Sequence, residues 1–174
     1  ETNTFIHEDH NFQTYIWKGS ETTVLLVHGW ESNASRWENF LPSLKKSGST
    51  IIAVDGPAQG LSSGKEFTIL KYAEFINIVA KKYQPQYIIG HSMGGKASLY
   101  YQYKHQNPSI QKMVILGAPS DFKILFHNFI ALLSLNSKIS KASLFDSLFL
   151  FFFRSITNFF NIISAPPTSN DDIM

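Results

Sequence analysis

Cysteine is absent from the 174 residues, which excludes a disulfide-stapled scaffold, a Cys-ligated zinc site and a thiol nucleophile. Charge is scarce as well: Asp, Glu, Lys and Arg make up 16% of the chain and leave a formal net charge of +2. That balance creates no basic field, so nucleic acid is not an expected partner. No His/Asp/Glu cluster has ligand spacing, and no metal or cofactor is expected. No basic n-region and apolar h-region open the chain, so no secretory signal is read and the cytoplasm is the expected compartment. The first residue is Glu1 and not Met, so a native start lost by processing or trimming is expected. Long apolar runs are also missing. The densest stretch, Leu144 to Ile163, is interrupted by Asp146, Arg154, Asn158 and Asn161, well short of the roughly 20 residues of a membrane span. What is present is 44% hydrophobic and 14% aromatic residues, ample for the buried core of one domain.

Apolar runs alternate with helical spacings, which predicts an α/β domain. Phe12 to Lys18 reads as a half-buried early strand, and Thr23 to Val27 as a central parallel one ending at His28-Gly29-Trp30. Ser32 to Lys46 carries Trp37, Phe40, Leu41 and Leu44 at helical spacing, and Thr50 to Val54 is a second strand. Glu66 to Tyr83 is an amphipathic helix. Tyr87 to Gly90 is a third strand that runs straight into a helix through Lys104, and Lys112 to Leu116 is a fourth. From Phe122 to Ile163 the chain is rich in Phe, Leu and Ile and reads as helical, before Pro166-Pro167 and a polar tail. The expected division is a core over 1–121, a helical lid over 122–165 and a disordered tail over 166–174.

The chemistry is signalled by Gly90-His91-Ser92-Met93-Gly94-Gly95, a G-x-S-x-G pattern between a strand and a helix. A serine at such a sharp turn projects its hydroxyl from the sheet, and its neighbours must be small because a Cβ there would clash. The helix that begins at Met93 directs free N–H groups and a positive dipole end toward the reacting oxygen.

On these motifs the chain resembles the α/β-hydrolase family over about residues 12–121. Beside Gly90 to Gly95, it has His28-Gly29-Trp30 where the family has its oxyanion turn. It also has Asp55-Gly56-Pro57-Ala58-Gln59-Gly60-Leu61-Ser62, similar to the family's D-x-P-G-x-G-x-S loop, with Ala58 where Gly is usual and Gln59 where His is common. The resemblance implies a mostly parallel sheet with helices on both faces. It also implies Ser92 as nucleophile, and the backbone N–H groups of Trp30 and Met93 as the oxyanion hole. The Trp30 side chain is read as a core aromatic.

Family order places an acid and then a histidine after the serine. The six histidines are His7, His10, His28, His91, His105 and His127, and none lies at the expected place. His91 is expected to point into packing, His28 to hold the oxyanion turn by hydrogen bonds, and His105 to lie on the surface. His127 is the one histidine after Ser92 that could overhang a pocket. Asp121 reads as a helix N-cap in a position that some relatives use for the acid, and Asp55 as a residue that fixes its loop. A chain that stops inside the lid, before acid and base, accounts for this pattern, and Lys112 to Leu116 is then an edge strand. The expected activity is hydrolysis of a carboxylic ester or similar small acyl substrate, apolar in character. The alternative is a non-catalytic relative that binds a ligand, a partner or a membrane surface. Oligomeric state is left open.

Overall fold

The computed structural model describes residues 1–118, which fall in one compact unit, Glu1–Ser120. The proposed lid and tail, Asp121 and His127 lie outside the described residues. Six strands form one sheet: β1 Thr2–His7, β2 His10–Trp17, β3 Ser20–Val27, β4 Ser49–Val54, β5 Tyr87–His91 and β6 Lys112–Leu116. Their order is β1-β2-β4-β3-β5-β6, with β4, β3, β5 and β6 parallel, β2 antiparallel to β4, and β1 antiparallel to β2. The parallel part is what the solid apolar runs of β3 and β4 imply, since their faces are covered on both sides. The strand β1 goes beyond the single early strand expected from sequence. It pairs Phe5 with Phe12, whose rings stack at 5.2 Å, and Phe12 in turn stacks on Phe75 at 4.1 Å.

Strand alternation sends Leu25, Val27, Ile52, Val54 and Ile88 to one face, where they join Phe12 and Ile16 in a continuous core. Two helices cover that face. The first, α2, Ile69–Tyr83, contributes Tyr72, Phe75, Ile76 and Val79, while α3, Met93–His105, contributes Ala97 and Tyr101. Thr68 caps α2 by accepting from Lys71 N at 3.2 Å, so the helix starts three residues later than its apolar pattern suggests. The opposite strand face carries Val24, Leu26, Ile51, Ala53 and Ile89, all buried. A 3-10 turn at Ala34–Trp37 and a short helix, α1, Leu41–Lys46, pack there. One helix over 32–46 was expected, but Pro42 has no N–H and is tolerated only in a first turn, so it restarts the helix. The two halves share the aromatic contact between Trp37 and Phe40.

Candidate active site at the Ser92 elbow

The parallel strands β3 and β5 end side by side, and the chain turns sharply at both ends. Ser92 joins β5 to α3 with φ 52° and ψ −122°, a conformation unfavourable for any residue with a Cβ. Two close approaches dictate its neighbours. A Cβ on Gly94 would overlap the carbonyl oxygens of His28 and Val27, and one on Gly90 would stand 2.7 Å from Gly95 Cα. The Ser92 N–H donates to Leu116 O at 2.8 Å, which ties the elbow to β6. Ser92 occupies the N-cap of α3, yet its side chain makes no capping bond. Among the described residues its hydroxyl has no hydrogen-bond partner.

Across from it, the His28-Gly29-Trp30 turn is held by a fully buried imidazole. His28 Nε2 accepts from Gly56 N at 2.8 Å, so the proton resides on Nδ1, which donates to Gly29 O at 2.6 Å. Burial lowers the His28 pKa, and with both nitrogens engaged the ring has no capacity left as a base. Trp30 is not the core aromatic expected from sequence. Its side chain is 60% exposed, because the chain has left the sheet two residues earlier. Neither the Trp30 N–H nor the Met93 N–H has an acceptor among the described residues, Met93 being the first residue of α3.

His91 is turned to Arg36, whose Nη2 donates to its Nε2 at 3.0 Å. Burial first, and then the charges of Arg36 and His28, push its pKa down to about 3, so the ring is neutral. His105 is half-buried and bonded to Glu74 at 3.2 Å, and His7 and His10 lie in the β1–β2 hairpin. No described histidine is hydrogen-bonded to Ser92. Asp55 fixes its loop: its carboxylate accepts from Ala34 N at 2.8 Å, Leu61 N at 2.9 Å and Tyr15 Oη at 3.0 Å, while Ser62 Oγ donates to its carbonyl. Burial and this carboxylate push the Tyr15 pKa up to about 12. Beside Asp55 an open groove of about 410 Å³ runs between Tyr15, Trp17, Leu41 and Leu61, and it does not include Ser92.

One group does bring ligand atoms together where the sequence showed no such spacing. Glu8, Asp9 and His10 lie within 4.8 Å of one another at the hairpin turn. His10 there is bonded to Asp9 at 2.9 Å and to the Lys71 ammonium at 3.1 Å, an arrangement that opposes a cation. Arg36 is the site neighbour that sequence reasoning missed, since its contact with His91 spans 55 residues and leaves no local pattern.

A family model described as alpha/beta hydrolase fold matches residues 22–155. The chain belongs to the α/β-hydrolase family. Among curated α/β-hydrolase relatives, phospholipase YtpA of Bacillus subtilis is 25% identical over 114 residues, covering 60% of this chain and 44% of that protein. A serine hydrolase-like protein of Dictyostelium discoideum is 37% identical over 89 residues, covering 47% and 25%. The solved structure of an esterase from Exiguobacterium antarcticum aligns with TM-score 0.56 at 27% identity, over 63% of this chain and 42% of that one. The chain thus spans less than half the length of these relatives. The α/β-hydrolase relatives are hydrolases of several kinds, namely esterases, lipases and epoxide hydrolases. Among the described residues, no helix is long and apolar enough to cross a membrane.

Proposed function

We propose that Ser92 is the nucleophile of a serine hydrolase that cleaves a carboxylic ester or a similar small, apolar acyl substrate. The observation that carries this reading is a serine held in a strained turn, its hydroxyl unspent as a cap, beside two backbone N–H groups without acceptors among the described residues. In this scheme a base takes the Oγ proton as Oγ attacks the carbonyl carbon. Charge develops on the carbonyl oxygen, and the N–H groups of Trp30 and Met93 receive it. Collapse expels the alcohol with the transferred proton and leaves an acyl-Ser92, which water then cleaves by the same steps in reverse. The base and its orienting acid come, in this proposal, from outside the described residues, either from His127 or from a part of the full protein beyond this chain. A serine at the elbow separates the chain from epoxide hydrolases, which in this family attack with an aspartate. The Phe- and Leu-rich stretch over 122–163 supports an apolar substrate.

The test is an intact mass spectrum of the folded, full-length protein with and without a fluorophosphonate probe, followed by peptide mapping. One adduct on Ser92, lost in Ser92→Ala together with p-nitrophenyl butyrate turnover, is expected. An adduct elsewhere, or turnover unchanged in Ser92→Ala, refutes the assignment. No adduct in a folded sample favours the non-catalytic, ligand-binding alternative.

A further inference from the structure

The groove beside Asp55 carries charge of one sign. Among the described residues its walls include two carboxylates, those of Asp55 and Glu38, and no lysine, arginine or histidine. Glu38 is exposed, Asp55 is fully buried, and neither makes an ion pair among the described residues. Three donors reach the Asp55 carboxylate: Ala34 N at Oδ1, and Leu61 N and Tyr15 Oη at Oδ2. A carboxylate offers about two acceptor sites on each oxygen, so Oδ1 keeps one unused. None of the three donors is a cation, so the negative charge is stabilised without being cancelled and acts on whatever fills the groove. Gly60 lines the same wall at φ 58°, and a Cβ there would overlap the carboxylate, so the wall has no side chain at this point. Around the two acids the lining is apolar. Tyr15, Trp17 and Leu41 form it with Leu61, which is 74% exposed. Lys45 Nζ stands 5.9 Å from the centroid of the Trp17 ring without lining the groove, so that ring already meets one ammonium ion.

We propose that this groove is a second binding site, apart from Ser92, for a small primary ammonium ion on an apolar, aryl-alkyl body. The ammonium group donates to the unused site on Asp55 Oδ1 and faces the Glu38 carboxylate, while the body lies against Tyr15, Trp17, Leu41 and Leu61. The volume, about 410 Å³, suits a ligand of that size, since small-molecule sites run from about 300 to 1,000 Å³. An anion is excluded by the two acids, and a wholly apolar ligand would leave both of them uncompensated. The site does not rest on the Ser92 reading.

The probe is 2-phenylethylammonium, and 2-phenylethanol is its control, a ligand that can still donate to Oδ1 but carries no charge. Each is titrated into the ¹⁵N-labelled full-length protein, and the indole N–H cross-peak of Trp17, assigned by its loss in Trp17→Phe, is followed. A saturable shift with the ammonium ion is expected, with affinity at least about tenfold weaker for the alcohol, the difference between a charge-assisted and a neutral hydrogen bond. Glu38→Gln removes an exposed charge that supports no other contact among the described residues, and it should weaken the ammonium ion about two- to fivefold. Equal affinity for ammonium ion and alcohol, or equal affinity in wild type and Glu38→Gln, overturns the proposal. So does a shift at Trp30 without one at Trp17, or no shift at all. Saturation at Trp17 in a protein whose Ser92 takes no fluorophosphonate keeps this site and overturns only the nucleophile, and an adduct on Ser92 without saturation does the reverse.

Discussion

Replacing Asp55 by asparagine changes one atom and tests the latch that holds three chain segments at the carboxyl end of the sheet. The carboxylate is fully buried and accepts from Ala34 N through Oδ1 and from Leu61 N and Tyr15 Oη through Oδ2. An amide has one oxygen, so in either orientation its NH2 group faces a backbone N–H, that of Ala34 or that of Leu61. The tyrosine hydroxyl can rotate to accept, but a backbone N–H cannot. One buried donor left unpaired costs about 1–3 kcal/mol, and loss of charge assistance in the remaining bonds adds about 1 kcal/mol. The expected loss is therefore about 2–4 kcal/mol. Urea unfolding of the chain followed by far-UV circular dichroism should show the midpoint falling by about 1–2 M with an unchanged slope. Tyr15→Phe removes a donor, not an acceptor, and should cost only about 1 kcal/mol. If Asp55→Asn loses less than about 0.5 kcal/mol, the carboxylate is not the group that holds the loop.

Ser92→Gly should raise stability by about 1 kcal/mol by releasing the strained backbone at φ 52°, while Ser92→Ala, which keeps a Cβ there, should not; equal urea midpoints for the two variants would remove the strain argument. Trp37→Ala should cost about 3–5 kcal/mol, since Trp37 is 1% exposed, and Trp30→Ala, at 60%, less than about 1 kcal/mol, as read from the same melts. Glu74 joins α2 to α3 through Lys104 and His105. Its burial raises its pKa, but the hydrogen bonds from these two groups outweigh that and hold it below the ordinary value. A carboxylate with a depressed folded pKa stabilises above its unfolded pKa of about 4.3 and loses that contribution as pH falls through the folded value. Glu74→Gln should thus cost up to about 1 kcal/mol at pH 7, and the gap to wild type should close in acid melts below that range; a gap independent of pH would assign it to packing.

The parallel half of the sheet was legible because β3 and β4 are buried on both faces, and that requirement leaves solid apolar runs in the sequence. The elbow was legible for a related reason: Gly90 and Gly94 are demanded by backbone approaches that no side chain permits. The strand β1 was not, because only alternate residues of Thr2–His7 are even partly covered, and a half-wet edge strand leaves a faint pattern. The split of the helix over 32–46 was written in Pro42 but outweighed by an apolar spacing that two short elements reproduce as well as one. Trp30 shows a different limit. Whether an aromatic is buried depends on where the chain goes after the strand, which residue type alone does not specify. Arg36 and His91 meet only because the 3-10 turn lies against the end of β5, a fact of tertiary packing.

The hydrogen bond from Ser92 N–H to Leu116 O also sets a time at which the site can exist. The chain is made from its N-terminus, and Leu116 follows Ser92 by two dozen residues, a second or more of synthesis at roughly 5–20 residues per second. Until β6 has been made and added to the sheet, the Ser92 amide lacks its partner, and the strained turn lacks one of the bonds that hold it. A nascent chain would therefore carry the motif for a while without the bond that ties its turn to the sheet, and a ribosome stalled before residue 116 would display Ser92 without it.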